Sequence, residues 1–265
     1  SKGRKVLHID IDPAEVGKNI PAYASLIGDV KKVLQKLLEA DIARREDGWL
    51  DRVREMQVDP DSHLDMGHDR LNPQVIIEAV REKAPADAII TTDVGQHQMW
   101  AAQYFKFSKP RTFITSGGLG TMGFGMGAAI GACIGSGRKR TVLFTSDGSF
   151  HMNMNEMATA VTNKLPLTIV LLNNNALGMV RQWQKIFFNE RYSQTTLNRK
   201  TDYVKLAEAF GAKGIRLTEL DELGAVLEAA LNEDGPVLVD AWIDPNERVL
   251  PMIPPGGTIG DIILS

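Results

Sequence analysis

Asp147 and Asn174 are the residues of this chain whose types and placement speak most directly of chemistry. Each follows an apolar run with the look of a buried strand. Thr141-Val142-Leu143-Phe144-Thr145 leads into Ser146-Asp147-Gly148-Ser149, and the run from Leu167 to Leu172 ends at Asn173-Asn174-Asn175. In a parallel α/β sheet the carboxyl ends of the strands lie side by side, and ligands bind there. The sequence separation of the two residues is then no obstacle to a shared site. An aspartate carboxylate and an asparagine carbonyl are hard oxygen donors, suited to Mg²⁺ or Ca²⁺ rather than zinc. Gly148 and Ser149 precede a helix expected to begin near His151, where backbone N–H groups and the helix dipole favour an anion. The plainer alternative makes Asp147 a helix cap, Gly148 a turn and the asparagines a second turn.

The elements that must position these residues can be read outward from them. Val6 to Asp12 reads as a strand that stops at Pro13. Asp29 to Ala40 follows with apolar residues at Val30, Val33, Leu34, Leu37 and Leu38, a helical period. One strand and one helix cannot make a core, so residues 1–40 read as the tail of an α/β domain that begins upstream. The opening, Ser1-Lys2-Gly3-Arg4-Lys5, reads as a piece of a longer chain. Residues 41–71 read as a charged linker with one short amphipathic helix around Trp49, Leu50, Val53 and Met56, then Asp59-Pro60-Asp61. His63 and His68 lie there without partners at metal spacing and are expected to be solvated.

From Asn72 the pattern becomes regular. Asn72-Pro73 is a cap followed by proline in the first turn, opening a helix to about Lys83. Strands are expected at 88–92, 112–115, 141–145, 167–172, 214–217 and 236–241. Helices are expected at 96–107, within 117–137, at 202–210 and at 220–231. This alternation predicts a doubly wound parallel sheet over residues 72–265. A proline- and glycine-rich tail, 244–265, is expected to fold back over the site.

Asp-Gly-Ser followed at this distance by a double Asn resembles the thiamine-diphosphate signature, G-D-G, a spacer, then N-N. Ser146 stands where that signature has its first Gly. The continuation Leu177-Gly178-Met179-Val180-Arg181-Gln182-Trp183-Gln184 is similar to the catalytic (large) subunit of acetolactate synthase, also called acetohydroxyacid synthase. The resemblance runs along essentially the whole chain, which covers the later half of such a subunit. It implies the thiamine-diphosphate-binding fold and a transferase of branched-chain amino-acid biosynthesis. That enzyme condenses two pyruvates, or pyruvate and 2-oxobutyrate, with loss of CO₂. It implies thiamine diphosphate and Mg²⁺ as cofactors, with FAD in the full-length enzyme. The implied partners are a second catalytic subunit, making a homodimer with the site at its interface, a small regulatory subunit, and 2-oxo acid substrates. The implied location is cytoplasmic in bacteria, or organellar after import.

The same resemblance assigns roles. Asp147, Asn174 and the backbone carbonyl of Ala176 would hold the metal, and Gly148 and Ser149 would meet the diphosphate. Gln96 and His97 would contribute to the diphosphate pocket, His97 by donating to a phosphate oxygen. The Gly120 carbonyl would accept from the aminopyrimidine, and Met122 would bend the cofactor from beneath. Met179, Trp183 and Pro255 would line the substrate channel, with Met179 also near the cofactor. Asp10 would lie near the adenosine end of FAD, although its residues alone favour a turn cap. His151 is expected to be structural, and Arg181 and Gln182 to be solvated or at a subunit contact. The glutamate that activates the pyrimidine lies on another domain of a neighbouring subunit in that family, and no residue here matches it. The chain alone is therefore expected to be folded, inactive, and at best a weak cofactor binder.

Bulk composition excludes some other classes. With 43% hydrophobic and 24% charged residues the chain has an ordinary globular balance. A net charge of -3 gives no electrostatic case for nucleic acid or an anionic membrane. No apolar run is long enough to span a bilayer, and no secretory signal is present. The lone Cys133 suits a reducing compartment. Two rivals remain open. One is a related thiamine enzyme, such as a pyruvate oxidase or glyoxylate carboligase. The other is a non-enzymatic nucleotide-binding module, suggested by the glycine-rich run Ser116 to Gly123 and the acid ending the next strand. The asparagine pair argues against a dinucleotide site, which needs no second metal ligand.

Overall fold

The apolar runs that helical patterns separate become the strands of parallel sheets. The computed structural model describes residues 3–40, 42, 48–57 and 65–264, in two units, residues 1–61 and 62–265. In the first unit β1 (Leu7–Asp10) and β2 (Ala24–Ile27) pair in parallel. They are followed by α1 (Val30–Glu39), capped by the Asp29 side chain, and α2 (Trp49–Gln57). No described residue of this unit is buried, as expected where two strands and a helix have too little surface to enclose a core. Asp59, Pro60, Asp61 and His63 lie outside the described residues.

The second unit opens with α3 (Pro73–Lys83), β3 (Ile89–Thr92), α4 (Gln96–Tyr104) and β4 (Phe113–Ile114). It continues with α5 (Phe124–Gly135), β5 (Thr141–Ser146), α6 (Asp147–Phe150), α7 (Met157–Thr162) and β6 (Leu167–Asn173). It ends with α8 (Gly178–Phe187), α9 (Tyr203–Phe210), β7 (Lys213–Leu217), α10 (Leu223–Leu231) and β8 (Val237–Trp242). As the sequence predicts, Asn72 caps α3, its side chain accepting the Val75 N–H with Pro73 in the first turn. The edge strand β4 is two residues rather than four, and α4 stops at Tyr104 rather than 107. Phe105, Phe107 and Phe113 there pack on one another, with neighbouring ring centroids 4.7 Å apart.

The strand order is β4-β3-β5-β6-β8-β7, with every neighbour parallel. Successive side chains of a strand point to opposite faces, and the two cores follow this period. Val142, Phe144, Val170 and Leu172 pack with Ile76, Val80, Trp100 and Leu227 on one face. Leu143, Ile169 and Leu171 pack with Met126, Cys133, Met157 and Ala207 on the other. Each fully buried side chain of this size contributes about 1.5–3 kcal/mol. The chain leaves β3 for β4 on one side and resumes at β5 on the other, so a crevice opens at the carboxyl ends of β3 and β5. Among the described residues no helix is long and apolar enough to cross a membrane.

Gly131 sits on the exposed side of α5, and a Cβ added there would meet nothing within 4 Å. Gly131→Ala is expected to stabilise the fold by about 0.5–1 kcal/mol through helix propensity. A rise in the urea midpoint at unchanged slope would show it.

Candidate functional site

Strands β5 and β6 deliver their carboxyl ends together, with Ser146 opposite Leu172. Asp147 and Asn174 consequently line one cavity, along with Asn175, Arg199 and Tyr203. Asp147 is 2% exposed, and its Oδ1 has no hydrogen-bond partner. Burial pushes its carboxyl up to about 7, against the opposing pull of the Gly148 and Asp147 N–H groups and the Arg199 guanidinium. The Asp147 carbonyl accepts from Arg199 at 3.0 Å and Tyr203 at 3.2 Å, which fixes the backbone behind the carboxylate. The helix after β5 starts at Asp147 and not near His151. Its cap is Ser146, whose hydroxyl accepts the Ser149 N–H, so the Asp147 side chain does not serve as the cap.

Asn174 is also buried. Its Oδ1 accepts the Ala176 N–H at 3.1 Å, and its Nδ2 faces Gln96 Oε1 at 3.4 Å. Asn175 takes a left-handed φ of 52°, which asparagine tolerates better than most residues. A second cavity shares Asn174 with the first and is lined by His97, Met122, Ser146, Ala176 and Met179 among others. Gln96 lines it too, but its amide nitrogen is fully committed, to Gln182 and to the Glu247 carbonyl. The Ser149 hydroxyl is likewise committed, donating to the Val94 carbonyl at 2.7 Å.

His97 is 2% exposed and hydrogen-bonded to the Asp93 backbone, while its Nε2 has no partner. A carbonyl only accepts, so the ring proton lies on the Asp93 side and Nε2 carries the lone pair. Burial pushes the ring down to about 3, so it is neutral at ordinary pH. It offers an acceptor where the sequence reading expects a donor. Donation to a phosphate oxygen requires the ring first to take up a proton.

Asp93, which sequence reading passed over, ties the glycine-rich loop to β3. Its Oδ1 accepts the N–H groups of Val94 and Gly123 at 2.9 and 2.8 Å. Burial raises its carboxyl. The available signal was an acid closing a Thr-Thr strand just upstream of Gly95. Beyond Gly123 the loop presents Met122, whose Cε lies 3.9 Å from where a Gly148 Cβ would stand. Gly120, at a φ of 63°, makes the turn, its N–H bonded to the Ser116 carbonyl. It does not line either cavity.

Met179 and Trp183 share one face of α8 and line a third cavity with Val180, Phe188 and Arg191. Pro255 is not among its lining residues. Gln182 and Arg181 differ from expectation. Gln182 is 3% exposed inside a hydrogen-bonded network. Arg181 is half-buried, stacked 4.1 Å over Tyr192 and bonded to Asn246. The residues that draw Gln182 inward are distant in sequence, so helical period alone misplaces it. His68 is exposed, but pairs with Glu78 at 2.9 Å and with Asp65, and the Glu78 hydrogen bond raises its pKa. His151 bonds Thr201 and packs edge-on against Tyr203. Asp10 accepts the Asp12 N–H, a local turn cap.

Among the described residues no group of three His, Cys, Asp or Glu side chains can hold a metal. The cavities instead offer one unpartnered carboxylate oxygen beside amide and backbone oxygens. Such a set suits a hard cation that takes its remaining ligands from phosphate and water.

Residues 93–241 match the family model for the thiamine pyrophosphate enzyme, C-terminal TPP binding domain. The large subunit of acetolactate synthase isozyme 2 from Escherichia coli is 43% identical over 97% of this chain and 46% of its own length. A probable acetolactate synthase large subunit of Methanocaldococcus jannaschii is 42% identical over 98% of this chain and 45% of its own. The chloroplastic acetolactate synthase 1 of Nicotiana tabacum is 42% identical over 98% and 41% respectively. The chain thus spans somewhat under half the length of these curated relatives.

Proposed function

Because the chain belongs to the thiamine pyrophosphate enzymes, we propose that its second unit grips the diphosphate of thiamine diphosphate through a divalent cation, Mg²⁺, in an acetolactate synthase. The observation that carries this reading is Asp147 Oδ1, a buried carboxylate oxygen with no partner, in a cavity it shares with Asn174. Such a group is costly unless a cation completes it. Asp147 supplies the charge, Asn174 a side-chain oxygen and Ala176 a backbone carbonyl. Arg199 and Tyr203 hold Asp147 in place from its carbonyl. The first turn of α6, with Gly148 and Ser149, faces the diphosphate, and Met122 supports the cofactor from the glycine-rich loop, itself pinned by Asp93. Met179 and Trp183 give the approach an apolar wall.

When bound, thiamine diphosphate supplies the electron sink for decarboxylating one 2-oxo acid and joining the remainder to a second. Similarity to acetolactate synthase large subunits supports pyruvate as the first substrate. The same similarity supports a second copy of the chain as partner and a small regulatory subunit beside it. Residues 1–40 fit the tail of an FAD-binding-type domain and 41–71 a linker.

Titration calorimetry tests the reading. Thiamine diphosphate is expected to bind weakly, and only with Mg²⁺ present. Metal-independent binding of NAD or ATP, with none of thiamine diphosphate, would overturn it in favour of a nucleotide module. Assayed by itself, this polypeptide is expected to release no acetolactate from pyruvate, since no residue here matches the pyrimidine-activating glutamate of the resembling family. Acetolactate formed by the chain alone would refute that expectation.

A further inference from the structure

Four consecutive carbonyls of the chain, those of residues 247 to 250, each accept a side-chain N–H. Gln96 bonds the Glu247 carbonyl at 2.8 Å and Trp100 that of Arg248 at 3.2 Å. Gln182 bonds Val249 at 2.9 Å, and Gln103 bonds Leu250 at 2.9 Å. Gln96, Trp100 and Gln103 are spaced four and three apart and so share one face of α4, while Gln182 reaches in from α8. Gln182 Oε1 also accepts the Val249 N–H at 2.8 Å and the Gln96 amide at 2.9 Å. Gln96 and Gln182 are 4% and 3% exposed. Buried amides satisfied this fully specify one arrangement rather than merely filling space.

The network does not end at the strap. Gln96 Oε1 faces Asn174 Nδ2 at 3.4 Å, and the opposite edge of that amide, Oδ1, is the oxygen assigned to the metal. Gln96 thus stands between the 247–250 strap and Asn174, with Gly178 pressed against both its amide and that of Asn174.

We infer that Gln96 and Gln182 are positioning residues that couple docking of the 247–250 strap to the set of Asn174, so that strap closure and metal–diphosphate binding favour each other. This rests on the assignment of Asn174 to the metal. The coupling is reciprocal by linkage. Binding at the site tightens the strap, and loosening the strap weakens binding.

Hydrogen exchange and calorimetry on the whole chain, with Mg²⁺ and thiamine diphosphate as the probe, test it. In the wild type, exchange at the Val249 N–H is expected to slow severalfold when the probe saturates, although residue 249 lines neither cavity. Gln182→Leu is expected to weaken probe binding about tenfold. Gln103→Leu, which removes a strap bond away from the metal amide, is expected to weaken it severalfold. The exchange measurement needs no variant, so a poorly folding Gln182→Leu leaves the idea exposed to test. Wild-type binding without added Val249 protection would overturn the coupling, as would a Gln103→Leu chain with a freely exchanging strap and undiminished affinity. No binding by the wild type would instead sink the functional reading, and the coupling with it.

Discussion

Asp147→Asn is expected to make the metal-free protein more stable at pH 8 and, in the same molecule, to remove metal-dependent diphosphate binding. The first half follows from linkage. Asp147 has its carboxyl raised from 3.8 to about 7, chiefly by burial. A carboxyl raised in the folded state adds stability that is complete below the unfolded value and is lost as pH rises through the folded one. Between about pH 4 and pH 7 the metal-free fold therefore weakens, by roughly 4 kcal/mol at about 1.4 kcal/mol per tenfold change in proton affinity. Asparagine does not titrate, so the variant escapes this loss. For a unit of this size the melting temperature at pH 8 should exceed the wild type's by roughly 10 °C, while at pH 4 the two should nearly coincide. Asp93 and His97 also titrate out of their usual ranges, but both are present in each protein and cancel in the comparison.

Saturating Mg²⁺ and thiamine diphosphate should reverse the order. The wild type gains stability by mass action, whereas the variant has lost its charged ligand. Even residues that only orient a metal ligand typically change affinity by about 10–100-fold, so removing the ligand itself should exceed about 100-fold. Thermal melts at pH 4 and pH 8, with and without the pair, give all four comparisons. A variant less stable than wild type at pH 8 without metal would mean that the Asp147 carboxylate is already satisfied, and the metal assignment would lose its basis.

The parts of this molecule legible in its sequence are those set by local period and by strand ends. Six apolar runs between helical patterns were enough to place six parallel strands. The rule that parallel strands end together was enough to bring Asp147 and Asn174 into one cavity. What local pattern cannot reach is the use of polar side chains by distant backbone. Gln182 sits among charged and apolar neighbours with nothing to mark it as buried, because its partners are Gln96 and residue 249. His97 looks like a phosphate donor until the Asp93 carbonyl is found on its ring. Ser146 takes the capping role that Asp147 suggests, since a hydroxyl one residue earlier reaches the Ser149 N–H first. The tail 244–265 does fold back, but what it grips is the face of α4, and Pro255 stays apart from the cavity of Met179 and Trp183.

Gly178→Ala is the second substitution expected to have a large effect, and here two forces oppose. Gly178 opens α8, where alanine is favoured by about 1 kcal/mol on propensity alone, and Gly131→Ala shows that gain unopposed. At Gly178, however, a Cβ would fall well inside contact distance of Gln96 Oε1 and 2.9 Å from Asn174 Nδ2. Gln96 cannot swing away without breaking its bonds to Gln182 and the Glu247 carbonyl. Overpacking of this kind costs about 1–3 kcal/mol, and each buried amide group left unpaired costs about 1–3 more. The clash outweighs the propensity, so a net loss of roughly 2–5 kcal/mol is expected in urea unfolding, with metal-dependent binding of thiamine diphosphate reduced about 100-fold. Gln96→Ala combined with Gly178→Ala separates the two consequences. Removing the obstructing amide relieves the overpacking, so the double variant should be less destabilised than the sum of the singles. Its cofactor affinity should stay low, because Asn174 has lost its support from Gln96. Gly178→Ala that unfolds like wild type, or a double variant whose losses simply add, would show that Gly178 leaves room for a side chain and that Gln96 does not hold the metal-facing amide.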